Sequence, residues 1–301
     1  VKVLVYCPGT DTAGVGIGIQ RAFVNHSDWT VRQVRRKARS YAYPHDAEWA
    51  DRAALIRASD VVHVMEEPKA IPSGKPAVLH HHGTYLRKYL KVTLREQEKR
   101  KALGIVSTLD LHVLTGMDWI PAPYDIDWLA TFRDPQPTLT IAHAGTNGES
   151  KSTGPFLAAC ERLAKELPIR VLHITGKTWA ECLAIKGTAD IYFDQVLTGY
   201  GNNAVEAWGM GIPVIAGIEP AEARNRGHLI PDATPDEMER RFGGLPFVRA
   251  DEGSIYDALR LLADPAERVK WADRGLSHVR RFHDQPQVVR KLEDIYRRAV
   301  S

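Results

Sequence analysis

Short apolar runs alternate with stretches whose apolar residues recur every three or four positions along most of the chain. The first series predicts strands at 2–7, 29–35, 60–65 and 76–81, helices at 14–25, 47–59 and 84–101, and short strands near 105 and 112. The stretch DWIPAPYDIDWLATFRDPQP, residues 118–137, carries four prolines and no periodicity, so it reads as a linker. A second series follows, with strands at 138–143, 169–175, 190–194, 212–216 and 245–249 and helices at 153–166, 178–186 and 202–210. Three helices, at 252–263, 265–282 and 286–299, close the chain. This alternation predicts an α/β fold of two Rossmann-like domains, 1–120 and 121–285, each a parallel sheet with helices on both faces. Two such sheets present the carboxyl ends of their strands across a cleft, where ligands of open α/β folds bind.

Composition adds bounds rather than chemistry. With 301 residues, 44% hydrophobic and 26% charged, the chain is an ordinary globular one with room for sizeable cores. No apolar run reaches the length needed to span a bilayer. The first strand-like run starts at residue 1, so no leader is expected. Cys7, Cys160 and Cys182 are widely spaced and form no Cys-x-x-Cys pair, which predicts neither disulfides nor a zinc site and points to the cytoplasm. The formal net charge of +3 is uneven. It concentrates in RRKAR at 35–39 and in YLRKYLKVTLREQEKRK at 85–101, where seven basic residues face two acids. The first half is the one expected to meet an anionic partner.

Three loops that join a strand to a helix carry the candidate chemistry. In PGTDTAGVGIGIQ, residues 8–20, glycines open a helix, where backbone N–H groups can approach a phosphate. Their spacing does not fit a G-x-G-x-x-G fingerprint and no acid ends the second strand, so nicotinamide binding is disfavoured; Gly14 remains the phosphate-approach candidate. In HAGTNGESKSTG, residues 143–154, Lys151 stands at a helix entrance with Ser152 and Thr153, suited to an anion or simply a solvated lysine beside an N-cap. In FDQVLTGYGNNAVEAWGMGIPVIAG, residues 193–217, Glu206 lies one turn into a helix. A carboxylate there is favoured by the helix dipole, and it can also accept two hydrogen bonds from a vicinal diol such as a ribose.

Lys151, the Gly199-Tyr200-Gly201 turn, Glu206-Ala207 and Gly211-Ile-Pro-Val-Ile215, in this order and spacing, resemble the donor domain of retaining GT-B glycosyltransferases of family 4. The segments HAGTNGESKST and ADIYFDQVLTGYGNNAVEAWGMGIPVI resemble a bacterial and phage subgroup, and the likeness covers most of 138–217. In the first half it rests on the loop at 9–14, VLHHHG and PAPYDID. The resemblance implies a GT-B fold whose C-terminal helices pack back toward the first domain, with 286–301 crossing to it.

The family's roles fall on this chain residue by residue. Lys151 would bind the diphosphate of a UDP- or GDP-linked sugar, with Thr153 and Asp194 beside it. Backbone N–H groups from Gly199 through Tyr200 and Gly201 to Asn202 would face the sugar and phosphate, and Glu206 would hold the ribose. Gly14 would approach the diphosphate from the first domain, and His82 would lie near the reacting sugar. The resemblance makes His82, Lys151 and Glu206 the catalytic set and implies a metal-independent, retaining transfer in which departure of the nucleoside diphosphate leads. Two departures stand out. The first glutamate of the family's pair falls on Thr198, and the arginine partner of the lysine is missing, its two possible positions being Gly145 and Gly148. Lys177, Arg224 and Arg226 are candidate replacements. Glu206→Gln is expected to weaken nucleotide binding and leave the fold intact.

No cofactor or metal is expected. His80 and His82 share one face of a strand while His81 takes the other, without an acid at ligand spacing, and Asp194-Gln195 offers one carboxylate. For the acceptor, Asp11, Tyr85 and Arg87 are the candidates. Leu86, Leu90 and Leu94 repeat every four residues with Arg87, Lys88, Lys91 and Arg95 off that line, a core-facing helix with a solvated basic face. That face fits an anionic inner-membrane surface bearing a glycolipid, or nucleic-acid phosphates. An envelope glycan or glycolipid acceptor leads; a hydroxymethylated DNA base is second, and a non-catalytic nucleotide-sugar binder is the third reading.

Overall fold

The computed structural model describes residues 1–38, 41–145 and 151–301. The chain forms two compact units, one of residues 1–124, 227–229 and 282–301, the other of 125–226 and 230–281. The first runs β1 (Lys2–Thr10), α1 (Val15–His26), β2 (Thr30–Lys37), α2 (Arg52–Ala58), β3 (Val61–Met65), β4 (Ala77–His81), α3 (Thr84–Lys99), β5 (Leu103–Val106), α4 (Leu109–Thr115) and β6 (Asp118–Trp119). Its six strands pair in parallel in the order β2-β1-β3-β4-β5-β6.

Strands buried on both faces explain the unbroken apolar runs. Val3, Val5 and Cys7 join α1 residues Ile19 and Phe23 in one core, while Leu4 and Tyr6 turn to the other face with Val62, Val64 and Leu79. The last helix of the chain completes the first of these cores through Val288, Leu292, Ile295 and Tyr296.

The second unit runs α5 (Ile126–Ala130), β7 (Leu139–His143), α6 (Thr153–Leu163), β8 (Ile169–His173), α7 (Trp179–Gly187), β9 (Ile191–Phe193), β10 (Thr198–Gly199), α8 (Asn202–Gly209), β11 (Val214–Ile218), α9 (Pro220–Asn225), α10 (Thr234–Phe242), β12 (Val248–Arg249), α11 (Ile255–Leu262) and α12 (Pro265–Phe282). The closing helix of the first unit is α13 (Gln285–Val300). Strand order here is β10-β11-β9-β7-β8, with β12 on β11, and all pairs are parallel except β10 with β11. Ile141, Ile191, Phe193 and Ile215 of the sheet pack against Phe156, Leu163, Leu259 and Leu262.

Several expectations need correction. The strand expected near 112 is helix α4. Its alternating Leu109, Leu111 and Val113 mimic a strand, but Gly116 takes the left-handed conformation that closes a helix. The linker at 118–137 holds β6 and α5, the latter capped by Asp125 Oδ1, which accepts from Trp128 N at 2.9 Å. The basic face of the 84–101 helix is not wholly solvated. Arg87 is 6% exposed and forms a two-pronged ion pair with Asp110, at 2.7 and 2.8 Å. Tyr85, Tyr89 and Val92 take outward positions instead.

Candidate active site

A polar cluster of the second unit gathers where β7 and β9 end and β10 leads into α8. Lys151 Nζ donates to Asp194 Oδ1 at 3.1 Å, and Gly201 N donates to Asp194 Oδ2 at 2.5 Å. Asp194 directly follows β9 and is fully buried, whereas the Lys151 side chain is partly open. Gly201 is the N-cap residue of α8, and the Asp194 carboxylate accepts from its backbone N–H, anchoring the start of the helix.

Behind Lys151, His143 Nδ1 donates to Phe193 O at 2.9 Å, which leaves Nε2 to accept from Thr153 Oγ1 at 2.8 Å. Burial pushes the His143 pKa down to about 4, so this ring is neutral. A Cβ on Gly145 would stand 2.8 Å from His143 Nε2 and 3.2 Å from Thr153 Oγ1, so position 145 has no room for an arginine. Gly148, the other position weighed for that arginine, lies outside the described residues. Arg226 pairs with Glu222 at 2.8 Å and Glu252 at 3.1 Å, and Glu252 in turn accepts from Ser152 Oγ at 2.9 Å. Arg224 pairs with Asp232 at 2.8 Å.

Glu206 lies on α8, 2% exposed. Its Oε1 accepts from Trp179 Nε1 at 2.8 Å, and its Oε2 is ion-paired with Lys186. Lys186 is fully buried, lies 4.9 Å from the Tyr192 ring centre, and donates to Asn203 Oδ1 at 2.9 Å. Asn203 Nδ2 reaches Ala144 O at 3.4 Å, tying this pair to the end of β7. Trp179 is held at the first turn of α7 by a capping box between Thr178 and Glu181, and its ring lies 5.5 Å from Trp128. The sequence reading missed Lys186 and Trp179. The Thr178-x-x-Glu181 spacing was a legible sign of a pinned helix start, but a lysine near a helix end reads as solvated.

Other named residues fall variously. Tyr200 turns its ring into a cluster with Trp208, Phe242 and His278, and its hydroxyl meets His278 Nε2 at 3.0 Å. Gly199 takes φ +84° at the start of this turn, Thr198 is half-buried in β10, and Asn202 opens α8.

In the first unit, Asp11 is buried and accepts from Gly16 N at 2.7 Å and Ile17 N at 2.8 Å, capping α1 from a loop. Burial lifts its pKa to about 6 against the pull of those amides. Gly14 has φ +70°, and the Tyr43 ring lies 2.5 Å from where a Cβ would stand, so glycine is required there by both conformation and neighbour. His82 stacks beside His80, ring centres 4.3 Å apart, and its buried Nε2 has no hydrogen-bond partner. His63 connects His80 to Tyr296, at 3.1 and 2.8 Å. Burial drives the His63 and His82 pKa values down to about 3. Of the acceptor-side candidates only Tyr85, 45% exposed, presents its side chain to solvent. Among the described residues no group of three His, Cys, Asp or Glu side chains could hold a metal ion.

No protein-family model matches the chain, and no curated protein sequence matches it. Solved structures do. HepE of Anabaena in complex with UDP is 12% identical, with a TM-score of 0.66 over 99% of this chain and 100% of that one. A glycosyltransferase from Rickettsia africae is 12% identical, with a TM-score of 0.63 over 100% and 98%. An alpha-glucosyltransferase in complex with UDP and a 13-mer DNA containing an HMU base is 12% identical, with a TM-score of 0.59 over 98% and 99%. The chain has the α/β fold of the GT-B glycosyltransferases.

Proposed function

We propose that this chain is a glycosyltransferase that moves a sugar from a nucleoside diphosphate, UDP- or GDP-linked, to a hydroxyl acceptor. The observation that carries the reading is one cluster in a GT-B fold: Lys151 at the entry of α6, the Gly201 amide at the start of α8, and Glu206 one turn further on. Negative charge grows on the diphosphate as the glycosidic bond breaks, and an ammonium with helix N-termini stabilises it without a metal. An ionised carboxylate has about four acceptor positions. Trp179 and Lys186 occupy one on each Glu206 oxygen, which leaves acceptor capacity for a ribose in the proposed complex once the carboxylate, 2% exposed, is uncovered. His82, neutral and with a buried ring nitrogen that has no hydrogen-bond partner, is proposed to lie near the reacting sugar.

Retention of the anomeric configuration and membership of family 4 rest on the Lys151, Glu206-Ala207 and Gly-Ile-Pro-Val-Ile pattern. For the acceptor we favour an envelope glycan or glycolipid. Tyr85, Tyr89 and Val92 are exposed along one line of α3, the two rings 5.1 Å apart, among exposed Lys88, Lys91 and Arg95. Aromatic and aliphatic side chains beside cations suit an anionic bilayer surface, with the chain itself cytoplasmic. A hydroxymethylated DNA base is the second reading, supported by the neighbour solved with DNA. A thermal-shift panel of nucleoside diphosphates and their sugars tests the donor half. At a hundredfold over the dissociation constant a true ligand adds about 2.7 kcal/mol. No shift with any member, from folded protein, would sink the proposal.

A further inference from the structure

We infer that Asp194 is a positioning residue that holds Lys151 ready for an anion and acts through Lys151 instead of touching the donor. This rests on the donor-site reading above. Asp194 is fully buried, and its own N–H donates to Ile215 O at 3.0 Å, which fixes it to the sheet. Its two oxygens face two different donors, the Lys151 ammonium at 3.1 Å and the Gly201 N–H at 2.5 Å.

That arrangement demands a carboxylate. An asparagine presents one acceptor and one NH2, so one of the two donors would meet another donor. The lysine stem is long and mobile, and a charged hydrogen bond at its Nζ tip restricts where the ammonium can go. An ammonium has three N–H bonds; one is committed to Asp194, leaving two for phosphate oxygens. The Lys151 side chain is 23% exposed while that of Asp194 is 0% exposed, so a ligand can reach the lysine and not the acid.

A double-mutant cycle tests this, with UDP and uridine (or the matching pair for the base found in the panel) titrated into wild type, Asp194→Asn, Lys151→Ala and the double variant, each with its melting transition recorded. Asp194→Asn should weaken diphosphate binding roughly tenfold or more, as expected for a lost charge-assisted contact, and leave the nucleoside unchanged. In the Lys151→Ala background it should add nothing. Asp194→Glu, which keeps both acceptors and the charge, should lose less than Asp194→Asn and serves if the asparagine variant does not fold. Additive losses, or equal losses for UDP and uridine, would mean that Asp194 only supports the fold and would overturn the inference. Wild type that binds neither ligand would instead overturn the donor-site reading itself.

Discussion

Glu206 carries two loads. In the proposed function it meets a ribose, and in the fold it neutralises a lysine with no access to water. Removing one partner of a buried ion pair costs about 3–5 kcal/mol, because the other charge is stranded. The sequence alone implied that Glu206→Gln would spare the fold; the Lys186 contact reverses that expectation. Glu206→Gln should lower the melting temperature of the second unit by many degrees, and Lys186→Met should do the same. The double variant should recover part of the loss. Equal melting of wild type and Glu206→Gln would show that the pair contributes nothing. Glycine at 145 belongs to the same scale. Gly145→Arg, which would supply the cation that the resembled family carries, should disrupt the His143–Thr153 contact and weaken diphosphate binding, as read by titration. Lys151 and Glu206 entered the candidate site through the family resemblance, because each taken alone also reads as an ordinary residue at a helix start. Lys186 was not legible, because burial of a lysine depends on Tyr192 and Asn203, which approach it only in the folded unit.

At the scale of elements, period carried most of the information and caps the rest. Continuous runs such as VVHVM were legible as strands because both faces are buried. Helix α10 was missed although Pro235 at its start, Asp236 and Glu237 in its first turn and Arg240 and Arg241 in its last are ordinary boundary signals. Its polar composition hid the apolar stripe. Arg87 was misplaced for a different reason: its partner Asp110 is 23 positions away, and no local pattern announces such a pair. The exposed line of α3 gives a prediction at this scale. Lys88→Glu with Lys91→Glu should abolish sedimentation with anionic vesicles and leave neutral vesicles unaffected. Vesicle binding that survives the reversal would remove α3 from the membrane reading.

For the whole molecule, acid is the expected weakness. His63 and His82 titrate near 3 and His143 and His283 near 4 in the fold, all lowered from 6.5 chiefly by burial. The unfolded chain therefore takes up protons first, so their contribution is complete above pH 6.5 and is lost as the pH falls toward 4 and below. Asp11 runs the other way: its folded pKa of about 6 exceeds the ordinary 3.8, so its contribution is present at low pH and lost as the pH rises from about 4 to 6. At about 1.4 kcal/mol per unit, four histidines displaced by two units or more outweigh one aspartate. Urea midpoints should drop between pH 7 and pH 4.5, and Asp11→Asn should make the drop steeper by removing the opposing term. A midpoint that rises on acidification would contradict this balance.

The most direct test of the function is an NMR assay in which folded wild type and Lys151→Ala are incubated with UDP- and GDP-sugars and a hydroxyl acceptor. Release of the nucleoside diphosphate by wild type, its loss in Lys151→Ala, and a product with the donor's anomeric configuration are the expected results. No release from any donor, or a Lys151→Ala variant as fast as wild type, would contradict the assignment of this chain as a transferase working through Lys151.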